Sequence, residues 1–297
     1  MKKWLKGLGV GVLALGLAAC GSAAEPKKDA ETGEEVELEN KSEMTAQEVY
    51  SKAMEVSAEQ KSMHAVMDID QKISIPSQEL EMKSKIKMDM DIIVEPLAMH
   101  QNMKMDMGEH GKADLEMYMN ESGFFMNDPQ AGQWIKMPKD MYDDMMAEMG
   151  GETDPTLDMK MFNEFKDDFK FEQTDDEYIL TLSASGDKFS GLMKELMGSA
   201  LPSDLEMTEE DAEMLNNMDV KSLEVVMYID KETFYTNAFD LDMDMTMKVE
   251  NEEMRIVQKM KSVLSKINEI DEIVVPQEVI DEAVDLEEMM QQGQDQE

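Results

Sequence analysis

Methionine sulfur is the most abundant chemically capable group in this chain, with 35 Met among 297 residues. Met88/Met90, Met103/Met105, Met117/Met119 and Met243/Met245 each stand two residues apart. A thioether is a soft donor suited to Cu(I). It is also the end of a flexible, polarisable side chain over-used on surfaces that accept varied apolar partners. Other donors are sparse. Cys20 is the only cysteine, which excludes an intramolecular disulfide and any Cys-clustered zinc site. His64, His100 and His110 are scattered. Asp89, Asp91, Asp240, Asp242 and Asp244 offer hard oxygens that suit weak Ca²⁺ binding, but no EF-hand-like loop frames them. The chain contains no Gly-x-Ser-x-Gly, His-Glu-x-x-His, P-loop or dinucleotide fingerprint. Arg255 is the sole arginine, so the usual bidentate clamp for phosphate or carboxylate is missing. These residues predict a non-enzyme without a cofactor.

The elements that would position the methionines are legible from phase. Met63, Ala65, Met67 and Ile69 alternate with His64, Val66, Asp68 and Asp70. Leu80, Met82, Ser84, Ile86, Met88, Met90 and Ile92 alternate with charged residues, Leu97, Met99, Gln101, Met103, Met105 and Met107 alternate with Ala98, His100, Asn102, Lys104 and Asp106, and a shorter strand offers Leu115, Met117 and Met119. Phe239, Leu241, Met243, Met245, Met247 and Val249 repeat the pattern far downstream. Period-two alternation predicts antiparallel strands with one dry and one wet face. Several are longer than the usual ~5–6 residues, and their joint apolar face needs a cover or must curl. Gly123–Ile135 reads as a hairpin. Met254–Ile267 fits both periods and is taken as a strand.

Helices are predicted at both ends and in an insert. Thr45 and Glu48 form a capping box, with Met44 and Val49 as a staple, and Val49, Ala53 and Val56 share a face. Helical spacing recurs in 138–149, after Asp154-Pro155, in 188–197 and in 208–217. Pro276 opens a short last helix with Val279, Ile280, Ala283 and Val284. The expected fold is α+β: a long-stranded, strongly curved antiparallel sheet, an incomplete barrel, wrapped around helices.

Apolar residues make up 42% of the chain, enough for a core. The net charge of −39 repels phosphates and argues against nucleic-acid binding. Since charge and Met alternate along the same strands, the acidic residues read as the solvated face of the sheet.

The N-terminus carries an address. Lys2, Lys3 and Lys6 precede an apolar run ending Leu17-Ala18-Ala19-Cys20. The run is shorter than the ~20 residues a spanning helix needs. It reads as a signal peptide (1–19) that ends in a lipobox, with Cys20 lipidated after cleavage. Residues 20–43 are small and charged and predict a flexible acidic tether. The folded domain is placed at 44–287, with a disordered tail at 288–297. The protein is thus expected on the extracellular face of a bacterial cytoplasmic membrane, held by its lipid.

This order of elements, with Pro96-Leu97-Ala98-Met99-His100, the Gly123–Pro138 hairpin and Val275-Pro276-Gln277-Glu278-Val279, resembles Gram-positive lipoproteins of the DUF6612 type. That group looks like a branch of the LolA/LppX-like fold. The resemblance implies a hydrophobic cavity between sheet and helices, used in relatives for acyl chains, although other members act as envelope sensors.

Three readings of the Met phase stay open: core filling, the wall of a lipid-binding cavity, and a Cu(I) site. The cavity reading names Met67, Ile86, Met88, Met90, Met103, Met105, Met117, Met119, Met243, Met245 and Met247 as lining residues. It implies a lipid or acyl ligand. An envelope sensor acting through a protein partner is the competing function.

Overall fold

The computed structural model describes residues 23–28, 32–128, 132–143, 169–186, 218–249 and 252–286. The expected signal peptide, Cys20, most of the helix expected at 138–149, the helices expected after Asp154-Pro155, at 188–197 and at 208–217, and the tail lie outside these residues.

The first helix, α1 (Ala46–Ala58), starts as its sequence dictates. Glu48 N donates to the Thr45 hydroxyl and Thr45 N donates to the Glu48 carboxylate at 2.8 Å, a complete capping box. Its buried face is Ala46, Val49 and Ala53.

Among the described residues thirteen strands lie side by side in a single sheet. In chain order they are β1 (Glu25–Pro26), β2 (Ser62–Ile75), β3 (Leu80–Ile93), β4 (Ala98–Asp106), β5 (Lys112–Asn120), β6 (Gly123–Asp128) and β7 (Gln133–Lys136). After them come β8 (Phe169–Gln173), β9 (Glu177–Ala184), β10 (Asp219–Asp230), β11 (Thr236–Val249), β12 (Glu252–Ser265) and β13 (Val284–Asp285). The spatial order is β1-β8-β9-β10-β11-β12-β2-β3-β4-β5-β6-β7-β13. The body is antiparallel, and the two-residue strands at the ends join in parallel, β1 to β8 and β13 to β7. The sheet therefore stays open, an incomplete barrel, and the expected α+β class holds.

The meander β2 to β7 pairs neighbour with neighbour, as tight antiparallel connections allow. The longest of the sequence-distant pairings is β12 against β2, which runs in register from Arg255↔Ser74 to Ser265↔His64. It welds the chain's two halves into one sheet. β2, β3, β11 and β12 are each 14 residues long.

Because side chains alternate, this register sorts the two faces row by row. One apolar row reads Leu180, Met227, Phe239, Ser262, Met67, Met88, Met103 and Leu115. Helix α1 sits on that face at its β9–β10 end, where Val49 (0% exposed), Leu180 (0%) and Ile229 (1%) pack together. Next to it, Leu182, Met218, Val220, Leu223, Met245 and Met247 form a second cluster, joined to the first through Phe169.

The opposite face carries charge in alternating sign. Asp242, Lys259, Asp70, Lys85, Asp106 and Lys112 succeed one another across β11, β12, β2, β3, β4 and β5. Lys259 meets Asp242 at 2.6 Å, Lys85 meets Asp70 at 3.5 Å and Lys112 meets Asp106 at 2.8 Å. Such exposed pairs add little stability each. They do oppose a one-residue slip of register, which would bring every charge onto the apolar side.

After β12 the chain crosses the β2–β7 strand ends on the charged face. Asn268 N donates to Ser62 O, Asn120 Nδ2 donates to Ile273 O, and Ile273 packs on Ile93 and Ala98. The strap ends in α2 (Gln277–Glu282), whose Val279 seals Phe125 (0% exposed) together with Val275.

The acidic segment after Cys20, expected to be free chain, is docked in its described part. Ala24 is 2% exposed, Ala23 bridges Thr45, and β1 pairs with β8. Polar composition signalled a solvated tether, but the docking contacts run through main-chain atoms, which composition does not report.

Candidate functional site

The eleven methionine and isoleucine positions named from sequence fall on one face, but not in one environment. Met119, Met245 and Met247 are buried, at 2%, 5% and 7% exposure, and act as packing. Met67, Ile86, Met88, Met90, Met103, Met105, Met117 and Met243 are half-buried. Met67, Met88 and Met103 stand side by side on β2, β3 and β4, flanked by the row Ile69, Ile86, Met105. Met90 faces Gln101 across β3–β4, and Met117 faces Met126 across β5–β6. The result is an apolar floor that is sealed under α1 and in the Met245–Met247 cluster and is half-covered around Met67, Met88 and Met103.

Two polar features interrupt this floor. Gln71 Nε2 donates to Gln258 Oε1 at 3.1 Å, so the pair satisfies itself. Gln101, 7% exposed, directs its amide Nε2 at the Met88 sulfur at 3.6 Å. These side chains could orient the polar end of a ligand whose tail lies along the methionines.

The histidines belong to the other face. His64 Nδ1 lies 2.8 Å from Asp91 Oδ1, and His100 Nε2 lies 2.9 Å from Glu116 Oε1. Neither histidine shares a side of the sheet with the methionine pairs, so a mixed Met/His metal site cannot assemble from them. Among the described residues no group of three or more His, Cys, Asp or Glu is arranged to hold a metal ion. Two of the aspartates considered for Ca²⁺ are engaged with cations, Asp242 with Lys259 and Asp244 with two nitrogens of the Arg255 fork, and Asp91 is hydrogen-bonded to His64. Arg255 holds the Asp244 carboxyl below the usual range.

The charged face also has relief. A groove of about 350 Å³ is lined by Asp68, Asp70, Glu224, Asp240, Lys259 and Lys261. A neighbouring one of about 450 Å³ lies between Ser183, Lys221 and Glu224. Their walls are ion-paired and offer nothing to an acyl chain.

Sequence reasoning missed Gln173. It is 0% exposed and its side-chain amide donates to Ala24 O at 2.7 Å and Ser42 O at 3.1 Å, while its Oε1 accepts from Ser42 N at 2.9 Å. No local pattern marks a glutamine whose partners are so distant in the chain.

Fold and face together define an α+β protein built on one open, long-stranded sheet, charged on one side and methionine-floored on the other. The chain belongs to the family of unknown function DUF6612, whose model matches residues 45–284. Solved structures match the chain at low identity and low TM-score. The Mycobacterium tuberculosis lipoprotein LppX is 9% identical, covering 77% of this chain and 97% of its own, with a TM-score of 0.34. A DUF1329 family protein from Desulfovibrio piger is 8% identical over 73% of this chain and 90% of its own, with a TM-score of 0.21. A beta-barrel-like DUF1849 protein from Brucella abortus is 10% identical over 69% and 99%, with a TM-score of 0.20. No curated protein matches the sequence. No helix among the described residues is long and apolar enough to cross a membrane.

Proposed function

We propose that this protein is a bacterial lipoprotein, anchored through Cys20 outside the cytoplasmic membrane, that holds an acyl chain or lipid against its methionine floor. One observation carries the ligand reading: Met67, Met88 and Met103 lie in the same sheet row as the fully buried Leu180 but remain half-buried. Methionine can reshape around chains of different length. Burial at about 25 cal/mol per Å² supplies the affinity, so a chain burying ~300 Å² of apolar surface gains ~7 kcal/mol before ordering costs. No catalytic constellation is invoked; the action is binding and release. The lipobox and the acidic charge support the anchor reading, since a chain of net charge −39 has no attraction to an anionic leaflet and needs a lipid to stay there.

The test is lipid extraction and mass spectrometry of protein purified without detergent, followed by titration with a fluorescent fatty acid. Co-purifying lipid and saturable uptake are expected. A ligand-free protein that takes up no fatty acid overturns the ligand reading.

A further inference from the structure

Resting on the anchor reading, we infer that the acidic segment after Cys20 is a clamp rather than a leash, and that it holds the β8 edge of the sheet against the membrane that carries the lipid. The clamp is built from three sets of contacts. Gln173, fully buried, ties Ala24 O, Ser42 O and Ser42 N to the sheet. Lys27 N donates to Gln173 O at 2.9 Å, and Val36 N donates back to Lys27 O at 3.0 Å, so the outgoing and returning limbs are bonded to each other. At the β8–β9 turn, Asp175 Oδ1 accepts from Glu39 N at 2.7 Å and Asn40 N at 3.0 Å, and Lys231 Nζ donates to Asn40 O at 2.6 Å. Tyr178 OH closes the set on the Ser42 hydroxyl at 2.6 Å.

The consequence is one of length. A free segment from Cys20 to Met44 could extend about 80 Å at ~3.3–3.6 Å per residue. With Ala23 fixed to Thr45, only the residues from Cys20 to Ala23 separate lipid from sheet, a reach of about 10 Å. The parts of the domain brought nearest the bilayer are β1, the β8 edge and the N-terminus of α1. These lie where the apolar face begins, since Ala24 packs in the same cluster as Val49 and Leu180. Glu25, Glu39, Glu43 and Asp175 on this side repel anionic headgroups, but over a screening length of about 8–10 Å that repulsion is spent within the same gap. The partner surface is therefore the anchoring bilayer itself.

Cys20, the only cysteine, allows a direct test. The chain from Cys20 onward is coupled to a maleimide-bearing lipid in a supported bilayer, and neutron reflectometry measures the gap between headgroups and protein. A gap of about 10 Å is expected, widening several-fold when a flexible Gly/Ser segment of some 20 residues is inserted between Gly21 and Ser22. Equal gaps for the two proteins overturn the placement. Amide exchange checks the clamp without any membrane: the amides of Lys27, Val36, Glu39, Asn40 and Ser42 should exchange at least tenfold slower than unstructured chain. The Asp175→Ala variant should release Glu39 and Asn40 while the β2–β3 amides stay protected. Coil-like rates in the unmodified protein overturn the clamp. Chemical coupling keeps these outcomes separate from the anchor reading, which fails if Cys20 is unmodified in protein extracted from membranes and takes the membrane placement with it.

Discussion

Gln173 Nε2 donates to the carbonyl oxygen of Ala24 at 2.7 Å, joining residues 149 positions apart in a site with no solvent exposure at the glutamine. Removing the amide strands the Ala24 and Ser42 carbonyls and the Ser42 N–H, which have no helix or sheet partner to fall back on. An unsatisfied buried group costs ~1–3 kcal/mol, and relaxation of the segment into water caps the sum. Gln173→Leu, similar in volume, should therefore lower unfolding free energy by about 2–3 kcal/mol in urea. A loss below ~0.5 kcal/mol would mean that the N-terminal segment is not held through this residue.

The two ends of the apolar row should respond differently to truncation. Leu180 is sealed beneath α1, and Leu180→Ala should cost about 2–5 kcal/mol, the range for a cavity in a packed core. Met88 lies on the half-covered part of the same floor, so Met88→Ala should cost about 1 kcal/mol or less. Uptake of a fluorescent fatty acid should show the reverse order, with Met88→Glu abolishing it by placing a charge on the floor. Equal destabilisation by the two alanines would make the floor ordinary core.

The strands carrying these residues differ in how visible they are before folding. In β2, β3, β4, β5 and β11 apolar residues recur at most second positions, because one face is in water, and the phase alone fixes which side chains share a row. β10 breaks the alternation: its register shifts between Val220 and Ser222 and again between Tyr228 and Ile229, and Val225, Val226 and Met227 run consecutively. β8 is only five residues long, too short for a periodic signal. The candidate floor was legible as a phase, but its division into sealed and half-covered parts was not. Which stretch is covered is a tertiary fact, so Met245 and Met247 read like Met88 although they are buried in a cluster with Leu182, Val220 and Leu223. The clamp was invisible for another reason: its ligands are backbone groups of an acidic, low-apolarity segment.

The α1 cap gives a prediction with a pH dependence. Thr45→Ala removes the hydroxyl that accepts from Glu48 N, a loss of about 1 kcal/mol for an N-cap of this kind, and Thr45→Ser should recover most of it. The returning bond, Thr45 N to the Glu48 carboxylate, holds the Glu48 carboxyl below the usual carboxylate value, with the Thr45 hydroxyl adding to it. A lowered native pKa means that the contribution is present above the unfolded pKa and is lost as pH falls through the native one. Thermal melts from neutral to acidic pH should thus show a smaller acid-induced drop for Glu48→Gln than for the unmodified protein. Parallel curves would show that the carboxylate contributes nothing to the cap.

Tyr118 offers the clearest alkaline signature. Burial first, then the hydrogen bond from its hydroxyl to Glu116 Oε1 at 2.9 Å, pushes the phenol up to about 12. The ring stacks on His100 with centroids 4.2 Å apart and planes 8° from parallel, and His100 Nε2 reaches the same Glu116 oxygen, so the phenol cannot turn toward water without breaking the stack. Since the native pKa is raised, the neutral phenol is the form the fold prefers. Its contribution is complete below about 10, where the unfolded phenol ionises, and disappears as pH climbs through about 12. Difference spectroscopy of tyrosinate should show one phenol ionising last, well after the others. Tyr118→Phe should remove that late step, and Glu116→Gln should move it to lower pH while burial keeps it above the ordinary value. A late step that survives Tyr118→Phe would assign it to Tyr142 or Tyr228, whose phenols burial also raises.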